Sequence, residues 1–203
     1  MQPGLRETKR VQTRLALCRA AVDLATEAGG TEEVTVEAIA ERAQTSRRTF
    51  FNYFPTKDAA FVRPLYALGA AFTHALAERP DGEPAWEAVR HALHAALTVP
   101  EADPALIAAA DALVTASPAM VLTTEAHAPD EPSAPELLRR GKAHIARLTG
   151  GDPDRDVYPQ LVLETAGVAL RVASRTWAAR GGDPRGHVDT VVDLLRDGIR
   201  PQH

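Results

Sequence analysis

A chain of 203 residues with 45% hydrophobic content is long enough to bury a core, and a net charge of −4 excludes a histone-like polycation. No run of eighteen apolar residues is present to span a membrane, and the opening "MQPGLRETKR" lacks the apolar segment of a secretion signal, so a cytoplasmic protein is expected. The single cysteine, Cys18, forms no internal disulfide and is expected to pack as a small hydrophobe.

Helical periodicity runs through the whole chain and β-type alternation is almost absent, which predicts an all-α fold. Leu17, Ala21, Leu24 and Ala28 recur at helical spacing before Gly29-Gly30, so the first helix is predicted over about 8–28. Thr35 stands where an N-cap belongs, ahead of a second helix whose apolar face is Val36, Ile39, Ala40 and Ala43. "QTS" breaks that pattern, and Ser46 is placed to cap a third helix over about 46–53 that Pro55 ends. Phe50 and Phe54 lie four apart on its inward side.

Charge is unevenly spread. Residues 1–63 hold ten Lys and Arg against eight Asp and Glu, and the remainder holds 13 against 19. Arg6, Lys9, Arg10 and Arg14 cluster near the start, and Arg47, Arg48 and Lys57 surround the third helix. Three short helices with a tight turn between the last two make a helix-turn-helix, whose second member is sized for a DNA major groove. Phe50 and Phe54 anchor that helix, which leaves Arg47, Arg48, Thr49, Phe51, Asn52 and Tyr53 on the opposite side. Arginine pairs with guanine, asparagine with adenine, and phenylalanine packs on a thymine methyl. Tyr53 and Lys57 suit phosphates.

The stretch "TRLALCRAAVDLATEAGGTEEVTVEAIAERAQTSRRTFFNYFPTKDAAF", residues 13–61, resembles the N-terminal DNA-binding domain of TetR-family transcriptional regulators. The "AA..L..E.G" of helix one, "TVEAIAERA" of helix two, "S..T.F.YF" of helix three and the closing "P.K" occur in register. The resemblance implies that Thr35 touches a phosphate and that Arg47, Arg48, Thr49, Phe51 and Asn52 face the groove, with Thr45 and Ser46 beside them. It also implies that Tyr53 and Lys57 grip the backbone. Two positions depart from the family pattern: Gln44 replaces a turn glycine, and Phe51 replaces a phosphate-bonding tyrosine.

Beyond residue 61 the prolines divide the chain into helices predicted at about 57–78 with a bend at Pro64, 84–98, 104–116, 118–126, 135–149, 156–180 and 186–198. Residues 125–136, rich in proline and acid, read as a loop. The expected division is a DNA-binding domain over 1–56 and an effector-binding and dimerisation domain over 57–203. Leu161, Val162, Thr165, Val168, Ala169, Val172 and Thr176, then Val188, Val191, Val192, Leu195 and Ile199, give the last two helices broad apolar faces. By resemblance, that pair builds a homodimer interface.

A small-molecule effector is expected in the second domain, with Tyr66, Phe72, Trp86, His91, His94, Leu113, Met120, Thr123 and Trp177 as candidate contacts. His91 and His94 have i, i+3 spacing but no cysteine and no HExxH arrangement, so no metal site is expected, and no cofactor. No GxSxG, Walker loop or GxGxxG supports an enzyme. The function expected is a ligand-responsive regulator, most simply a repressor, bound as a homodimer to a pseudo-palindromic operator. The alternative is a helical interaction protein that keeps the fold without specific DNA binding.

Overall fold

The structure, a computed structural model, describes residues 5–118, 120 and 131–198. All regular secondary structure among them is helical: α1 (Leu5–Ala28), α2 (Val36–Arg42), α3 (Arg47–Phe51), α4 (Lys57–Ala77), α5 (Ala85–Ala96), α6 (Pro104–Ala116), α7 (Ala134–Thr149), α8 (Val157–Arg180) and α9 (Pro184–Arg196). The helix expected over 118–126 and residue Ile199 lie outside the described residues, apart from residues 118 and 120.

The described residues form two compact units. The first runs to Tyr66 and includes the described part of 109–134; the second holds Ala67–Ala108 and residues 135–198. The first compact unit thus extends past the helix-turn-helix motif into α4. The physical reason is that Ala59, Ala60 and Phe61, in the first turns of α4, are fully buried in the first unit. Pro64 sits inside α4 without ending it, although it removes the amide that would bond the Ala60 carbonyl.

In the first unit, α1 stops where Gly29 takes φ +73° and the Gly30 amide donates to the Ala25 carbonyl at 2.9 Å. Its buried stripe is Leu17, Cys18, Ala21, Val22 and Ala25, whereas Leu24 is half-buried and Ala28 exposed. The stripe is thus rotated from the one read by spacing, because Cys18 and Val22 pack inward as well as any leucine would. Ile39 and Ala40 of α2 and Phe50 of α3 complete the core, and α2 packs on both α1 and α3.

In the second unit, α9 packs on α5 and α8. Ala88, Val89, Ala92 and Leu93 of α5, Val162, Ala166, Ala169 and Ala173 of α8, and Val188 and Val192 of α9 are buried. Arg90 of α5 bonds Asp189 at 2.9 Å and Asp193 at 2.6 Å on α9. Burial opposes its charge, but those two carboxylates outweigh burial and hold the guanidinium above its usual pKa. The face predicted as one surface on α8 is split by the fold. Val162 and Ala169 point into the unit, while Leu161, Val168 and Val172 are exposed at 58%, 41% and 44%. Val191 and Leu195 of α9 are half-buried.

Candidate nucleic-acid interface

Local chemistry sets the recognition unit. Thr35 leaves the helical region and its Oγ1 accepts from the Ala38 amide at 3.2 Å, which starts α2. The last turn of α2 closes with the Gln44 amide donating to the Glu41 carbonyl and the Thr45 amide to the Ala40 carbonyl, at 2.9 and 2.8 Å. That closure requires a left-handed residue, and Gln44 supplies it at φ +53°, the single non-glycine with positive φ among the described residues. Glycine's usual place in this turn is thus filled by a side chain that tolerates it at some cost.

Ser46 then caps α3. Its Oγ accepts from the Thr49 amide at 3.1 Å and shares a hydrogen bond with Thr49 Oγ1 at 2.9 Å. Helix α3 is one turn long, so tertiary anchors, not helix propensity, hold it. Phe50 is 0% exposed and Phe54 2%. Their ring centroids are 5.6 Å apart, and Phe51 meets Phe50 edge-on at 5.5 Å. Arg42 forks onto Glu27 of α1 at 2.9 and 2.8 Å and ties α2 in place. The hydrogen bond from Arg42 holds the Glu27 carboxyl below its usual pKa.

With Phe50 turned inward, the rest of α3 faces out as the sequence predicts. Arg47, Arg48, Phe51 and Asn52 are exposed, and Thr49 and Tyr53 are half-buried. Phe51 is 46% exposed, with the Arg47 guanidinium carbon 5.5 Å from its ring centroid. Arg47 Nε also lies 3.2 Å from Glu37 Oε1, with both side chains well exposed, so this pair adds little to the stability of the fold. A groove of about 970 Å³ opens beside α3, with Arg6, Lys9, Arg10 and Thr13 of α1 on one side and Gln44, Thr45, Thr49 and Tyr53 on the other. The groove therefore joins the basic start of the chain to the recognition helix.

Lys57 has contacts within the chain that its sequence position does not announce. Its ammonium donates to the carbonyls of Thr31, Glu32 and Val34 at 2.8, 3.1 and 3.0 Å. An ammonium has three protons, and here three carbonyls take them, so Lys57 fastens the α1–α2 loop. Sequence reasoning also missed Glu37 and the Arg42–Glu27 fork. Both partners lie ten or more positions away, beyond the reach of local periodicity.

The expected effector contacts that are described belong to both units. Tyr66 and Met120 are buried in the first unit, where the Tyr66 hydroxyl donates to the Pro132 carbonyl at 2.7 Å. Arg63 stacks over the Tyr66 ring at 5.0 Å and forks onto Glu131 at 2.5 and 3.0 Å. Trp86, His91 and His94 belong to the second unit. Trp86 is half-buried. His91 Nδ1 bonds Glu83 at 3.1 Å, and hydrogen bonds from Arg79 hold the Glu83 carboxyl below its usual pKa. His94 Nε2 is 3.0 Å from Asp189 Oδ1, close enough for attraction but not aligned for a hydrogen bond. Two histidines on separate carboxylates do not make a metal centre, and no group of three or more His, Cys, Asp or Glu among the described residues is arranged to hold one. Thr123 lies outside the described residues. No described helix is long and apolar enough to cross a membrane.

Comparison with known proteins agrees with this geometry. The family of bacterial regulatory proteins called tetR matches residues 17–63, the span from the middle of α1 into α4. The HTH-type transcriptional regulator TcmR of Streptomyces glaucescens is 32% identical over 213 residues, covering 98% of this chain and 88% of that protein. Two solved structures are more distant. FadR of Thermus thermophilus, a TetR-family transcriptional repressor in complex with lauroyl-CoA, is 22% identical with a TM-score of 0.39, covering 94% of this chain and 96% of its own. A TetR transcriptional regulator from Rhodococcus sp. RHA1 is 18% identical with a TM-score of 0.41, covering 95% and 100%. With a helix-turn-helix in register and a relative alike over almost its whole length, the chain belongs to the TetR family of transcriptional regulators.

Proposed function

We propose that this regulator is a cytoplasmic repressor that binds a pseudo-palindromic operator as a homodimer and releases it when a small molecule occupies the part of the chain beyond Lys57. The observation that carries the reading is α3, whose Phe50 is wholly buried while Arg47, Arg48, Phe51 and Asn52 are exposed together. Such a helix is fixed to its scaffold on one side and chemically matched to base edges on the other. The groove lined by Arg6, Lys9 and Arg10 extends the cationic surface along the phosphate track.

The dimer reading rests on α8. Val157, Tyr158, Leu161, Val168 and Val172 leave an apolar stripe in solvent, and a stripe of that length on a soluble chain calls for a cover. A second copy of the same stripe supplies one through a two-fold contact, and two recognition helices then read two half-sites. The effector completes the regulation: a tenfold loss of operator affinity needs only about 1.4 kcal/mol of preference for a dimer with misplaced recognition helices.

The test is equilibrium binding to a selected duplex and to a random one of equal length. A preference of about 10³-fold or more is expected. Equal affinities would favour the helical interaction protein without specific DNA binding. Effector action is reciprocal, so a compound that raises the thermal midpoint of the free protein should raise it less when operator is bound.

A further inference from the structure

The two arginines that open α3 are held differently. Arg47 Nε lies 3.2 Å from Glu37 Oε1 of α2, and its guanidinium carbon sits 5.5 Å from the centre of the Phe51 ring. The Arg48 side chain is exposed and has no hydrogen-bond, ion-pair or ring partner among the described residues. We propose that Glu37 is a specificity-determining positioning residue, which holds Arg47 against Phe51 so that Arg47 reads a guanine while Arg48 serves the phosphates. The proposal rests on α3 being the DNA-reading helix and assigns the base contact within it.

The atoms engaged decide the assignment. Guanine presents O6 and N7 to a pair of N–H groups in the major groove. Glu37 approaches Nε, and the two terminal amino groups of Arg47 have no hydrogen-bond partner among the described residues, which leaves a bidentate edge intact. Carboxylate and ring together restrain a long side chain before DNA arrives, so less of its freedom is lost on binding. The same carboxylate partly neutralises Arg47 and repels phosphates, which makes Arg47 a poor backbone contact and leaves that role to Arg48. An acid in the first turn of α2 also favours the helix dipole, but a dipole role would act on stability and leave base preference untouched.

The experiment measures the full chain, wild type and variants, against duplexes carrying every single-base change in the selected site, with thermal midpoints recorded alongside. Arg47→Ala should cut preference at one position of each half-site about 10- to 100-fold. Glu37→Ala should cut it at that same position about fivefold, and Glu37→Gln, which removes the charge that pairs with Arg47, should cut it about as much. In an Arg47→Ala background, Glu37→Ala should change nothing further at that position. Arg48→Ala should weaken all duplexes alike and flatten the salt slope by about one unit. The proposal is overturned if Glu37→Ala leaves the position unchanged, or if Arg48→Ala is the variant that relaxes it. A Glu37→Ala effect that persists without Arg47 would mean that Glu37 reads a cytosine itself, which also overturns it. A wild-type protein with no base preference would instead defeat the DNA-reading account as a whole.

Discussion

Helices α3 and α8 both leave large apolar side chains in solvent, and their surroundings differ. Phe51 on α3 stands among Arg47, Arg48 and Asn52, whereas Leu161, Val168 and Val172 on α8 follow one another at helical spacing as an aliphatic stripe. An apolar ring set among cations and amides fits a polyanion that carries methyl groups. An aliphatic stripe fits another aliphatic stripe. Exposure alone therefore does not distinguish the two surfaces; the neighbours of the exposed group do.

The sharpest way to break this comparison uses adjacent rings. Phe50→Ala empties a fully buried site and should cost about 3–5 kcal/mol, taking DNA binding down with the fold, as denaturant titration would report. Phe51→Ala should cost only about 1 kcal/mol of stability, the edge-on contact with Phe50, and act mainly on DNA affinity. If the two variants destabilised the protein equally, Phe51 would be core and not contact surface.

On α8, Val168→Asp or Val172→Asp should weaken the homodimer about hundredfold, close to 3 kcal/mol, by burying an unpaired charge against its symmetry mate. The isolated fold should survive, since both positions are exposed in the chain by itself. Sedimentation velocity separates the outcomes, and a variant that stays dimeric would move the interface elsewhere. Val192→Asp makes the contrast, because Val192 is fully buried and its replacement should unfold the second unit.

Lys57→Ala should cost about 1.5 kcal/mol of stability, through three lost charged hydrogen bonds, and leave the salt slope of DNA binding unchanged. A flattened slope with full stability would favour the phosphate role read from the resemblance. The smallest effect is expected at the turn, where Gln44→Gly should raise stability by about 0.5–1 kcal/mol by relieving the left-handed conformation, with the operator preference unaltered.

What was legible in the sequence follows the same division. The caps at Thr35 and Ser46, the inward Phe50 and Phe54 and the strained Gln44 all depend on residues within four or five positions, which is the range that periodicity and capping rules cover. The Lys57 clamp spans more than twenty positions to Thr31–Val34, and the Glu37–Arg47 pair crosses the turn, so neither leaves a local signal. On α8 the difficulty is of another kind. Val162 and Val168 are the same residue on the same helix, and hydropathy does not tell a side chain that packs on its own chain from one left in solvent. His91 and His94 look like a pair at i, i+3, yet each is taken up by a different carboxylate, Glu83 and Asp189.

The central claim is that α3 reads DNA bases and that α8 pairs two copies of it. Selection of bound duplexes from a random pool, with the full-length protein at a concentration where sedimentation finds dimers, tests both halves at once. The account predicts an enriched pseudo-palindrome whose two half-sites are inverted copies, centred one helical turn of about 10 base pairs, or a multiple of it, apart. A pool with no enriched sequence, or with a single asymmetric half-site, would contradict it.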